Sequence, residues 1–138
     1  MHPKFSRADE VSGRVIGAAI EVHRLKGPGL IESIYEKCLR RELELQGLGV
    51  KSQDNVPIEY KGMVFDEVLK FDLLVEDALL VELKAVERVL PIHKAQLMSY
   101  MRLLDIPVGL LINFHAVVLK NGISRMILPG ANLPDVDF

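Results

Sequence analysis

Val108-Gly109-Leu110-Leu111-Ile112 is an unbroken apolar run, closed by Asn113. A run this short and continuous is the signature of a buried central strand, with no face left for water. Such a strand needs neighbours, and the rest of the chain supplies them. Pro91 opens a helix that runs to about Asp105 and stops before Pro107.

Further upstream the apolar period changes twice. From about Asp9 to Arg24, Val11, Val15, Ile16, Ala19 and Ile20 recur at helical spacing, until Lys26-Gly27-Pro28-Gly29 breaks the pattern. A second helix is expected from about Leu30 to Gln46, with Ile31, Ile34, Cys38 and Leu45 as apolar markers and Gly47 and Gly49 as its end. The period then becomes two. Val56 to Tyr60, Val64 to Val75 and Leu79 to Val86 read as strands, with tight turns at Lys61-Gly62 and around Asp77. Beyond the central strand, Val117 to Lys120 and Ile123 to Leu128 flank Asn121-Gly122, a strong hairpin signal. The order predicts a mixed α/β domain over residues 1–138, with its core at about 9–128 and a loose tail at 129–138.

Several classes are excluded. No glycine-rich dinucleotide fingerprint follows a strand, and no phosphate loop is present. Cys38 is the only cysteine, which rules out an internal disulfide and a cysteine-based zinc site. The polar stretch from Met1 to Glu10 is no signal peptide, and no apolar run is long enough for a bilayer, so a cytoplasmic location without membrane contact is expected. A net charge of −2 does not suit a sequence-independent DNA coat, which needs strong basicity to neutralise phosphates. It remains compatible with an enzyme that meets nucleic acid transiently and counts acidic metal ligands in its balance.

The chemistry is concentrated in Lys70-Phe71-Asp72-Leu73-Leu74-Val75 and Val81-Glu82-Leu83-Lys84. In the first strand Leu69, Phe71, Leu73 and Val75 share a face, and Lys70 and Asp72 take the other. In the second, Leu79, Val81, Leu83 and Ala85 oppose Glu82 and Lys84. Each strand is therefore expected to bury an apolar face and to present acid and base together on the opposite one. Parity adds a constraint: directly paired residues share a face, so Asp72 stands opposite an even-numbered residue. That demands an odd loop. A loop of about three residues near Asp77, with Asp77 in the left-handed region, places Asp72 beside Glu82 or Lys84.

Two carboxylates on neighbouring strands repel unless something positive lies between them. A hard divalent cation, Mg²⁺ or Mn²⁺, suits oxygen ligands of this kind, and Lys84 is placed to orient a water and stabilise developing charge. The plain alternative is a solvated Glu-Lys pair, since E-x-K alone is too short to carry meaning.

Gly29-Leu30-Ile31-Glu32-Ser33-Ile34-Tyr35 reads G-x-x-E-x-x-Y. Together with Val22-His23, Asp72-Leu73-Leu74-Val75, Val81 to Val86, His93 to Tyr100 and Gly109 to Phe114, it resembles the GxxExxY family over roughly residues 10–128. That family is classed with PD-(D/E)xK nuclease-like proteins. The resemblance implies a restriction-endonuclease-like α/β core, a mixed sheet flanked by helices. It also implies a divalent-metal-dependent nuclease in which Asp72 and Glu82 hold the metal and Lys84 assists the water. Glu32 is implied as a further ligand, and Gln96-Leu97-Met98-Ser99-Tyr100 resembles a helix motif of exonuclease-like members. Phe71 stands where the family's proline is expected.

Taken as residues, Glu32 and Tyr35 share a helix face. His93, Gln96 and Tyr100 lie on one face of the third helix. Gln96, Tyr100 and Tyr35 are the expected substrate contacts, with Tyr100 either stacking on a base or merely packing; His23 reads as a structural histidine near the Gly27 turn, and His115 has no assigned role. The rival function is a catalytically silent nuclease-fold module that binds nucleic acid or a protein. The Asn121-Gly122 hairpin would offer an edge for a homodimer.

Overall fold

The computed structural model describes every residue from Met1 to Phe138. In chain order the elements are α1 (Phe5–Lys26), α2 (Glu32–Leu45), β1 (Val50–Ser52), β2 (Asn55–Val56), β3 (Glu59–Tyr60), β4 (Met63–Val64) and β5 (Leu69–Lys70). Next come β6 (Leu73–Val75), β7 (Leu79–Lys84), α3 (Pro91–Leu104), β8 (Val108–Asn113), a 3-10 turn (Leu119–Gly122) and β9 (Ile123–Ile127). One sheet runs β1-β6-β7-β8-β9. Only β7 and β8 are parallel, because α3 carries the chain back between them; the other neighbours are antiparallel. The result is a mixed α/β sandwich, with α1 and α2 on one face of the sheet and α3 on the other.

Side-chain alternation explains both layers. Leu73, Val75, Leu79, Val81, Leu83, Val108, Leu110 and Ile112 point toward α1 and α2, where they join Val11, Val15, Ala19, Tyr35, Leu39 and Leu43. Leu74, Leu80 and Leu111 point the other way, onto Leu97, Tyr100 and Met101 of α3. Both faces of β8 are thus covered, as its unbroken apolar run requires, and all six of its residues are buried. Gly109 lets α3 settle directly on the strand. A Cβ there would lie 2.6 Å from Met101 Sδ and 3.1 Å from Leu97 Cδ1.

The structure revises several sequence expectations. Helix α1 begins at Phe5 rather than near Asp9, and it ends where Gly27 takes φ 68° and donates its N–H to His23 O at 2.7 Å. In α2 the inward stripe is Tyr35, Leu39 and Leu43, at four-residue spacing. Ile31, Ile34 and Leu45, expected as markers, are exposed, and Cys38 is only partly buried. The strand expected from Val64 to Val75 is three pieces, because the chain loops out after β4 and bends at Asp72. The face carrying Glu82 is not open along its length either, since Leu74 and Leu80 fill it beneath α3.

The Asn121-Gly122 hairpin does not form. Those residues lie in the 3-10 turn, and Gly122 serves close approach, since a Cβ would sit 2.5 Å from the Asn113 carbonyl. Strand β9 pairs with β8 instead, and it alone is the sheet edge on that side. The tail is not loose. Ala131 is fully buried and accepts the His2 N–H at 2.9 Å, and the Met1 amine donates to Val136 O at 2.7 Å.

Candidate functional site

The hairpin of β6 and β7 builds the site. Its register pairs Leu73 with Val81, Leu74 with Leu80 and Val75 with Leu79, which leaves a three-residue turn of Glu76, Asp77 and Ala78. Glu76 and Asp77 both adopt the left-handed conformation, at φ 54° and 53°. The parity argument therefore holds, and extending the register by one step sets Asp72 opposite Glu82.

At that step the ladder stops and side chains take over from backbone. The Asp72 N–H donates to Glu82 Oε1 at 3.1 Å, and the Leu83 N–H donates to Asp72 Oδ2 at 2.8 Å. Each carboxylate thus accepts from the opposite strand where a carbonyl would normally stand. The regular pairing ends at Leu73–Val81, and the chain bends at Asp72, where the exchange takes over. Phe71, freed from the alternation, packs into the α3-side core.

Burial makes this pairing electrostatically demanding. Glu82 is only 8% exposed, and its carboxyl is pushed up to about 9, first by desolvation and then by the neighbouring Asp72 charge; Lys84 acts in the opposite direction. Burial and the Asp72 charge thus both favour the neutral form of Glu82 over its carboxylate. Lys84 follows on the same face, half-buried and free of any ion pair. The chain beyond it is pinned by Asn113, whose Oδ1 accepts from the Val86 N–H at 3.1 Å and whose Nδ2 donates to Val86 O at 2.8 Å.

The other expected residues are distributed differently. Glu32 makes no bond to Asp72 or Glu82. It lies one turn before Glu36, and it is Glu36 that reaches the centre through Gln53: Gln53 Nε2 donates to Glu36 Oε1 at 2.8 Å and to Asp72 Oδ1 at 3.1 Å. The Glu36 carboxyl is raised by burial, with the Asp72 and Glu32 charges adding to the shift and the Gln53 bond opposing it. Tyr35 is spent on the fold. It is fully buried, stacks on Phe114 at 4.4 Å, donates to Gly27 O at 2.6 Å and accepts the Leu30 N–H at 3.0 Å. Gln96 is exposed and donates to the Tyr100 hydroxyl at 3.0 Å, while the Tyr100 ring packs in the α3-side core. His23 bonds Ala116 O at 2.8 Å rather than the Gly27 turn, and His115 Nδ1 is buried without a partner.

Sequence reasoning missed Gln53, Glu36 and Asn113. Glu36 stands at the helical repeat from Glu32, which was the available signal. Gln53 and Asn113 carried none, because their partners are distant in sequence.

The trio Asp72, Glu82 and Glu32 is not assembled, and no group of three or more His, Cys, Asp or Glu side chains is arranged to hold a metal ion. The pair Asp72 and Glu82 nevertheless fits a hard divalent cation. Its donors are carboxyl oxygens, Mg²⁺ commonly takes only one or two of these with water completing the shell, and a carboxyl pushed up by burial and then by the Asp72 charge is relieved by a positive charge.

A family model described as the PD-(D/E)XK nuclease superfamily matches residues 9–126. No curated protein and no solved structure matches the chain. No helix is long and apolar enough to cross a membrane.

Proposed function

We propose that this chain, which belongs to the PD-(D/E)XK nuclease superfamily, is a divalent-metal-dependent phosphodiesterase acting on nucleic acid. Nucleases of this superfamily generally use divalent metals, and the GxxExxY likeness of residues 29–35 supports a narrower kinship. The observation that carries the reading is the side-chain exchange between Asp72 and Glu82, which holds two carboxylates together at the open end of a hairpin with Lys84 on the same face.

In this reading Asp72 and Glu82 would hold Mg²⁺ or Mn²⁺, with water completing the shell in place of a third carboxylate. When bound, the cation supplies Lewis acidity toward a phosphate oxygen and a lower pKa for water. The chain's own residues do the rest. Lys84 Nζ orients the attacking water and donates to the charge that develops on the phosphoryl oxygens. Glu82 would serve as a ligand in its ionised form, its proton released to solvent, and the Leu83 N–H keeps Asp72 Oδ2 in place. Gln96 offers its free amide oxygen to substrate, and Tyr100 fixes the orientation of that amide.

The test is cleavage of a DNA and RNA panel with Mg²⁺ or Mn²⁺. Lys84→Ala is expected to lower kcat by about 10²–10³-fold, as for loss of one charge-stabilising donor, with the melting temperature preserved. Equal cleavage by the variant, or none by the parent protein with either metal, sinks the mechanism.

A net charge of −2 and the two-carboxylate centre favour one rival, a silent module that binds nucleic acid or a protein without cutting. Retained nucleic-acid affinity with no metal-dependent thermal shift would select it.

A further inference from the structure

Gln53 holds Asp72 from two sides. Its backbone N–H donates to Asp72 O at 3.0 Å, and its side-chain Nε2 donates to Asp72 Oδ1 at 3.1 Å. The same nitrogen spends its second hydrogen on Glu36 Oε1 at 2.8 Å, so both donors of the amide are committed to carboxylates. The grip is made from an unfavourable backbone state: Gln53 sits at φ 50°, where a residue with a Cβ is strained. Nothing in core packing asks for this, because Gln53 is exposed. A glycine would satisfy the turn after β1 at lower cost, yet it would lose the side-chain bonds.

We propose that Gln53, anchored by Glu36, is a positioning residue that aims the Asp72 carboxylate. The inference rests on the reading of Asp72 as a metal-holding group. Gln53 fixes Oδ1 and the Leu83 N–H fixes Oδ2, one neutral N–H donor on each oxygen of the carboxylate. The carboxylate cannot rotate without breaking one of these bonds. Glu36 contributes by accepting from Gln53, which holds the amide in the orientation that reaches Asp72. It is an anchor in this scheme, not a ligand.

The experiment measures Mn²⁺ binding by calorimetry and exchange of the Leu83 amide by NMR in the metal-free protein, for four chains. Gln53→Gly is expected to keep or raise the melting temperature, because the left-handed strain is relieved, while Mn²⁺ affinity falls about tenfold or more, as for outer-shell partners of metal ligands. A purely structural glutamine would show the opposite pattern. Leu83 amide exchange is expected to accelerate about tenfold as Asp72 becomes free to turn away. Glu36→Gln keeps an acceptor and should bind Mn²⁺ within about threefold of the parent, whereas Glu36→Ala should lose about as much as Gln53→Gly.

Mn²⁺ affinity in Gln53→Gly within twofold of the parent overturns the proposal. Equal losses in Glu36→Gln and Glu36→Ala overturn the anchor role and make Glu36 a ligand. If the parent binds no Mn²⁺, the metal-dependent reading fails. The Leu83 exchange rate then decides the positioning role alone, and an unchanged rate in Gln53→Gly removes it.

Discussion

The two ends of the β6–β7 hairpin are a few residues apart and obey opposite rules. At the turn end, Val75 pairs with Leu79 in register, both are fully buried, and three residues close the loop. At the other end the ladder gives way to two carboxylates that accept each other's backbone donors across the strands. The first end is held by packing and has a single arrangement. The second is held by charge-assisted bonds whose strength depends on protonation and on what lies nearby. One hairpin therefore supplies both a rigid frame and a responsive centre, and the frame fixes which residues face each other at the centre.

Leu79→Ala removes a fully buried side chain from the α1–α2 layer and is expected to cost about 2–5 kcal/mol in chemical denaturation. A cost below about 1 kcal/mol would mean that the frame is not set by packing there.

The carboxylate end should respond to pH instead. The folded-state pKa of Glu82 is raised from 4.5 to about 9. Between those values the folded chain keeps a proton that the unfolded chain has released. The metal-free protein should therefore lose stability as pH rises through this window, by at most about 1.4 kcal/mol per pH unit, and level off above it. Glu82→Gln removes this slope and should melt higher than the parent at pH 8. Parallel melting curves for the two chains between pH 5 and 9 would rule out the buried proton.

The smallest effect belongs to the turn itself. Asp77→Gly relieves a left-handed residue, worth about 1 kcal/mol, and gives up an exposed pair with Lys51 worth a fraction of that. A net gain of about 0.5 kcal/mol is expected in urea melts, with no change at the carboxylate end. If metal binding changed as well, the two ends would not be separable.

The division between frame and centre also explains what could be read from sequence. Alternation in residues 69–75 and 79–85 is enough to fix the parity of the hairpin, which leaves Glu82 or Lys84 opposite Asp72; the observed register selects Glu82. The same alternation hides the bend at Asp72, because the exchange of side chains for ladder bonds leaves no mark on the hydrophobic pattern, and Phe71 crosses to the α3 side unseen. β8 and α3 were legible because a continuous apolar run and flanking prolines are local signals. β1 was not, since three residues are too few to show a period. The Asn121-Gly122 signal misled for a tertiary reason: Gly122 is small to accommodate the Asn113 carbonyl, not to form a hairpin turn. Tyr35 looked like a surface group beside Glu32, yet its ring and hydroxyl close the Gly27–Leu30 loop. Gln53 lies outside every local pattern because its meaning comes from two partners that only folding brings together.

Gly109 acts as a gauge. With no side chain at Gly109, the spacing of β8 and α3 there is set by backbone thickness and the side chains of Met101 and Leu97. A methyl group there would add about one bond length, roughly 1.5 Å, at the middle of the molecule. β7 pairs with β8, and α3 carries Gln96 and Tyr100, so the added height would lift α3 from the sheet that holds Glu82. The depth of the whole α3 layer is thus fixed at one residue without a side chain.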